Sequence, residues 1–182
     1  MIGENVQEDE IIAKNFITKK LLSDETEPRT LEVGCGDSPN LNYGIHMDTR
    51  KLSHVEIVSK WQEAVLPENM LDKIFANQVI EHLYRDEQLE ALKRSLLWLK
   101  PGGILEVWTP CLDRLAILVT EGSISWNWFQ EVLYGSQDYP DNCHRWVHTL
   151  STLATMVLVV GFEILECVEI DGSIKLIARK PL

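Results

Sequence analysis

The segment Leu31-Glu32-Val33-Gly34-Cys35-Gly36 constrains this chain more than any other. A short run suited to a buried strand passes directly into glycine, one further residue and glycine. A strand that ends this way lets the backbone come close to a ligand at the carboxyl edge of a sheet. In an open α/β sheet that edge, near the point where strand order reverses, is where ligands bind. The third glycine of the dinucleotide fingerprint is missing, so nicotinamide and flavin dinucleotides rank low. Asp48 closes a second short strand, YGIHMD, and a carboxylate there can accept two hydrogen bonds from ribose hydroxyls.

The rest of the chain alternates in the same manner. Ile11, Ile12, Phe16, Ile17 and Leu21 stand at helical spacing, and the polar stretch 23–29 with its proline breaks that helix. HVEIVS reads as a third strand and DKIFANQVI as a fourth. Residues 86–99 form an amphipathic helix with Asp86 as its N-cap, ended by Pro101-Gly102-Gly103. GILEVWTP is a fifth strand, and 149–160 a helix stopped by Gly161. FEILECVEI and SIKLIARK form a hairpin about Asp171-Gly172.

The expected fold is α/β: a Rossmann-like, mostly parallel sheet flanked by helices, with a terminal antiparallel hairpin. A length of 182 residues suits one domain, 1–182, with 1–29 as N-terminal helix and linker and 111–148 as a lid or substrate insertion. About a dozen residues separate Gly36 from Asp48, and fewer separate Asp48 from Val55. A parallel crossover with a full helix needs more. The helices after strands one and two are therefore expected to be shortened or absent, leaving one sheet face thinly covered. The N-terminal helix would fill part of that gap, or the second subunit of a homodimer would.

A net charge of −11 argues against nucleic acid as a partner, because duplex binding rests on Lys and Arg meeting phosphates. No apolar run reaches the roughly 18 residues of a membrane span. The acidic N-terminus, MIGENVQEDEII, lacks a signal-peptide stretch, so a cytoplasmic location and no membrane partner are expected. Cys35, Cys111, Cys143 and Cys167 form no CxxC pair and fit no zinc spacing, so reduced thiols and no metal site are expected.

Four segments in order carry a resemblance: LEVGCG, the acidic residue ending strand two, LPENMLDKIFANQVIEHL, and LKRSLLWLKPGGILEVWTP. They resemble class I S-adenosylmethionine-dependent methyltransferases. Gln78-Val79-Ile80-Glu81-His82-Leu83 matches the end of that family's fourth-strand segment, and Leu99-Lys100-Pro101-Gly102-Gly103 matches the stretch before its fifth strand. The likeness covers residues 30–110 and, more loosely, Tyr139 to Phe162.

The resemblance implies S-adenosylmethionine as cofactor and methyl transfer to a small molecule or glycan precursor. It implies that Glu32 lies near the methionine amino group. Gly34, Cys35 and Gly36 make room for the cofactor, and Asp48 holds its ribose. Asn77 and Gln78 flank the methionine moiety and the transferred methyl. After strand three the family often has an acid beside the adenine, where this chain has Ser59-Lys60-Trp61. Trp61 either stacks on adenine or packs in the core. Removal of an acceptor proton would fall to His82, His144, His148 or Asp141. Trp126, Trp128, Phe129 and Tyr134 either line an acceptor pocket or pack the insertion onto the sheet. Two other functions stay open: a non-catalytic binding or assembly protein on a degenerate methyltransferase fold, and an enzyme that cleaves the cofactor.

Overall fold

Short apolar runs bounded by turn residues become the strands of one sheet in the computed structural model, which describes residues 28–182. The helix expected over 7–22 lies outside the described residues. The strands are β1 (Thr30–Val33), β2 (Ile45–Asp48), β3 (Ile57–Val58), β4 (Leu71–Asn77), β5 (Leu99–Pro110), β6 (Glu163–Ile170) and β7 (Ser173–Arg179). Their order is β3-β2-β1-β4-β5-β7-β6. The first five strands run parallel, while β7 pairs antiparallel with both β5 and β6. Strand order therefore reverses between β1 and β4, where a ligand crevice opens at the carboxyl ends. This is the expected mostly parallel sheet with its terminal hairpin. Asp171 and Gly172 turn the hairpin at φ 49° and 86°, the positive values that a tight type I′ connection needs.

The helices are α1 (Arg85–Trp98), α2 (Leu112–Thr120), α3 (Trp126–Tyr134) and α4 (Leu150–Val160). As expected, turns rather than helices connect β1 to β2 and β2 to β3. In α1 the buried residues Gln88, Ala91, Leu92, Ser95 and Trp98 recur at helical spacing and face the sheet. The N-cap is Tyr84, not Asp86, because Glu87 at the third position reaches back and accepts the Tyr84 N–H at 2.8 Å. The helix stops at Trp98, and Pro101-Gly102-Gly103 lies inside β5, where pairing with β4 slips between Leu71 and Lys73. The segment 111–148 is more regular than its sequence suggests, holding α2 and α3.

Strand alternation divides the sheet into two unlike faces. Leu31, Ile74, Ala76, Leu105, Val107, Leu176 and Ala178 are buried in one core with Ala91, Leu92, Leu153 and Val157 of α1 and α4. The opposite face carries Lys73 paired with Glu106 at 2.7 Å, Tyr43 stacked on Phe75 at 5.0 Å, and Trp108 donating to Glu106 at 2.8 Å. Parallel strands covered on both sides read as continuous apolar runs. Here β4 and β5 alternate, as strands do when one face carries no helix, and among the described residues none packs on that face.

Candidate active site

Four carboxyl-end loops of the sheet meet around one cleft of about 230 Å³. Gly34 and Gly36 after β1, Asp48 at the end of β2, Lys60 and Trp61 after β3, and Gln78 after β4 all line it. Gly34 and Gly36 have φ of +64° and +61°, the left-handed region that favours glycine. A Cβ on Gly34 would collide with the Val79 side chain, so the glycine lets the β4 loop close against β1.

Asp48 is nearly buried and heavily used. Its Oδ2 accepts the Gly36 N–H at 2.9 Å, and its Oδ1 accepts the Arg50 backbone N–H at 2.9 Å and Nε–H at 3.1 Å. Burial alone would raise its pKa, but the Arg50 bonds and the Gly36 amide together hold it below the ordinary value. Arg50 also reaches Asp37 at 3.2 Å. Sequence reasoning missed Arg50, although an Asp-x-Arg spacing at a strand end is a visible signal for such a pair.

The other expected cofactor residues divide. Trp61 presents surface to the cleft, yet it is only 2% exposed and its Nε1–H donates to Ser95 Oγ at 2.9 Å. Its indole is therefore an anchored core residue that also forms wall. Gln78 lines the cleft in a left-handed conformation, φ 54°, unusual for a side chain of this kind. Three residues are not brought to the cleft. Strand alternation turns Glu32 toward the other side, where it accepts the Asn40 N–H at 2.8 Å and lies 3.6 Å from His46. Asn77 lines a separate depression with Tyr43, Lys73, Phe75 and Trp108. Cys35 is buried, and desolvation with the nearby Asp48 and Glu32 charges pushes its thiol up to about 11.

The residues expected on the acceptor side also divide. His82 lines the cleft, and His144 packs edge-on against it at 4.6 Å. Burial, reinforced by His144, pushes His82 down to about 4, against the pull of the Cys143 and Asp141 backbone. Burial lowers His144 as well, opposed by its bond to Val132. Asp141 lines the cleft together with Tyr139 and Arg145.

His148 does not reach the cleft. It is wholly buried, with Nε2 2.8 Å from Gln88 Oε1 and Nδ1 3.2 Å from Thr152 Oγ1. The Gln88 amide nitrogen donates to the Ile80 and Leu83 carbonyls, so its oxygen accepts and His148 carries its proton on Nε2. Desolvation pushes His148 down to about 4. Trp126, Trp128, Phe129 and Tyr134 are absent from the cleft wall, and α3 buries none of its residues. The aromatic contacts that do frame the cleft are cationic: Arg145 over Tyr84 at 4.6 Å and Arg50 over Tyr139 at 5.8 Å.

Comparison with known proteins follows the same direction. The family model described as "Methyltransferase domain" matches residues 7–167. The chain belongs to this methyltransferase domain family, as its resemblance to class I S-adenosylmethionine-dependent methyltransferases implies. No curated protein matches it. Among solved structures, Burkholderia thailandensis 1,6-didemethyltoxoflavin-N1-methyltransferase, holding 1,6-didemethyltoxoflavin and S-adenosylhomocysteine, is similar. It shares 13% identity at a TM-score of 0.60, covering 100% of this chain and 92% of that one. Haemonchus contortus phosphoethanolamine N-methyltransferase 2 with S-adenosyl-L-methionine gives 14% and 0.62, over 93% and 52% of the two chains. The cyclase SpnF gives 18% and 0.60, over 95% and 81%. At these identities the likeness is one of fold, and a cyclase shares it.

Proposed function

We propose that this methyltransferase uses S-adenosylmethionine to methylate a small-molecule or glycan-precursor acceptor. The observation that carries the reading is the convergence of Gly34, Gly36, Asp48, Lys60, Trp61 and Gln78 on one cleft at the strand-order reversal. The cofactor supplies a methyl group already activated on a sulfonium, so the protein's work is alignment. The residues fit it: paired left-handed glycines admit a close ligand, and Asp48 offers a carboxylate at the ribose position. A carboxylate has about four acceptor sites, and three are engaged, so one remains for a ribose hydroxyl. Gln78, held in its strained conformation, faces the methyl end, and the Trp61 face borders the adenine end.

The acceptor side lies between the end of β4 and the lid 111–148, within a single domain. His82, with His144 against it, borders the acceptor side, and desolvation keeps both rings neutral, each with a lone pair to offer. His148 has a positioning role through Gln88, which braces the turn at Ile80. Glu32 positions the 37–44 loop through Asn40. A two-fold homodimer would cover the polar-aromatic sheet face; light scattering that gives one chain's mass at high concentration would refute it. Among the described residues no helix is long and apolar enough to cross a membrane.

A second reading, ligand binding without transfer, is favoured by Ser59-Lys60-Trp61 standing where the family often has an acid, and by the turns that replace helices after β1 and β2. Calorimetry with S-adenosylmethionine and S-adenosylhomocysteine tests the first reading. Micromolar binding of both is expected, and absence of heat or thermal shift at millimolar ligand would defeat it. Binding without turnover across a panel of acceptors would favour the second.

A further inference from the structure

Three side chains, of which His82 lines the cleft, cluster in a way that methyl transfer alone does not explain. Glu81 and His82 belong to the 3-10 turn Ile80–His82, and His144 comes from the lid. One ligand-capable atom of each lies within 4.8 Å of the others. The approach is built into the backbone: the Arg145 and Trp146 N–H groups donate to the Glu81 carbonyl at 2.7 and 3.2 Å. Gly135, at φ +75°, leaves space that a Cβ would take from Asn142 and His144.

Two of the three donors are aimed by an outer partner. His144 Nδ1–H donates to the Val132 carbonyl at 2.7 Å, which leaves the Nε2 lone pair free. Thr109 Oγ1–H donates to Glu81 Oε2 at 3.0 Å and fixes that carboxylate. Glu81 is fully buried, and its Oε1 has no hydrogen-bond partner, nor has the buried His82 Nδ1. Buried polar atoms left unpaired are destabilising, so native proteins rarely leave two of them in one cluster without a ligand.

We propose that Glu81, His82 and His144 bind a divalent first-row transition-metal ion. Two imidazoles and one carboxylate form the donor set of open zinc sites and of related manganese, iron and cobalt sites. Three protein ligands leave coordination positions vacant for a substrate oxygen. His82 borders the cleft, so the ion sits at its acceptor end. An acceptor hydroxyl bound there loses its proton to water more readily. The resulting oxygen anion attacks the methyl carbon; the C–O bond forms, the C–S bond breaks, and its electron pair leaves a neutral thioether. The ion thus replaces direct proton abstraction by either ring. This use of the ion rests on the methyl-transfer reading, whereas its binding does not.

The test uses the full chain, stripped with a chelator and titrated with MnCl₂ by electron paramagnetic resonance and with ZnCl₂ by calorimetry. One ion per chain is expected. Glu81→Gln, which can still accept from Thr109, and His144→Ala should each weaken it at least tenfold. S-adenosylhomocysteine affinity should stay within about threefold in both, and circular dichroism should confirm that they fold. A CoCl₂ absorption spectrum of the unaltered chain needs no variant: bands of a four- or five-coordinate site support the proposal, and a hexaaquo spectrum overturns it. It is also overturned if no stoichiometric ion binds, or if affinity ignores both substitutions, as adventitious binding to an acidic surface would. S-adenosylhomocysteine binding without an ion refutes this proposal alone; an ion without S-adenosylhomocysteine binding refutes the methyl-transfer reading alone.

Discussion

Replacing Asp48 by alanine tests whether one carboxylate both organises the glycine loop and receives the cofactor. The substitution removes three hydrogen bonds, from Gly36 N, Arg50 N and Arg50 Nε. Bonds to a charged group contribute about 1.5–3 kcal/mol each. The loop is only half-buried and the Arg50 side chain is 36% exposed, so water recovers much of that loss, most of all for the guanidinium. A stability loss of about 2–4 kcal/mol is expected by urea denaturation. The cofactor site loses its ribose acceptor and its fixed Gly36 amide. S-adenosylhomocysteine binding should therefore weaken by about 1–3 kcal/mol, roughly five- to 150-fold. Calorimetry below the variant's melting temperature reads this directly. Affinity within twofold of the unaltered chain, on protein shown to be folded, would refute the assignment of Asp48 to the ribose.

Gly34→Ala should cost about 2–4 kcal/mol of stability, since a left-handed alanine is strained and its Cβ strikes Val79; an unchanged urea midpoint would show that the β4 loop yields freely. Gln78→Gly should relieve the positive φ and hold or raise stability by up to about 1 kcal/mol, while cofactor binding weakens. A clear loss of stability would show that the Gln78 side chain repays its strain within the fold. His148, pushed down to about 4, is neutral in the folded chain where the unfolded chain takes up a proton. Its stabilisation is present above pH ~6.5 and is lost as pH falls toward 4, roughly 2 kcal/mol of it between pH 7.5 and 5. The unaltered chain should lose that much more than His148→Gln over this interval in urea melts, and equal losses would refute the burial argument.

Much of the fold was legible because its signals are local. Strand runs ending in glycine, the Asp171-Gly172 turn and the helical spacing of α1 each depend on neighbours within a few residues. The short connections after β1 and β2 follow from chain length alone, since a dozen residues cannot hold a full crossover helix. Gly34, Gly36, Asp48 and Gln78 meet at the cleft because strand ends and a parallel order place them there. Where sequence reading failed, the deciding partner was distant or lay on the other face. The alternation of a strand sends Asn77 away from Gln78, although the two are adjacent. His148 looked available for chemistry until packing placed it against Gln88, 60 positions earlier. His144 stands 62 positions after His82, so no spacing rule for metal ligands could pair them. The local sequence thus determined the elements and the glycine-lined edge, because backbone propensity and turn chemistry act over short range. The tertiary structure decided which side chains share a desolvated space, because burial and hydrogen-bond satisfaction are properties of the packed chain.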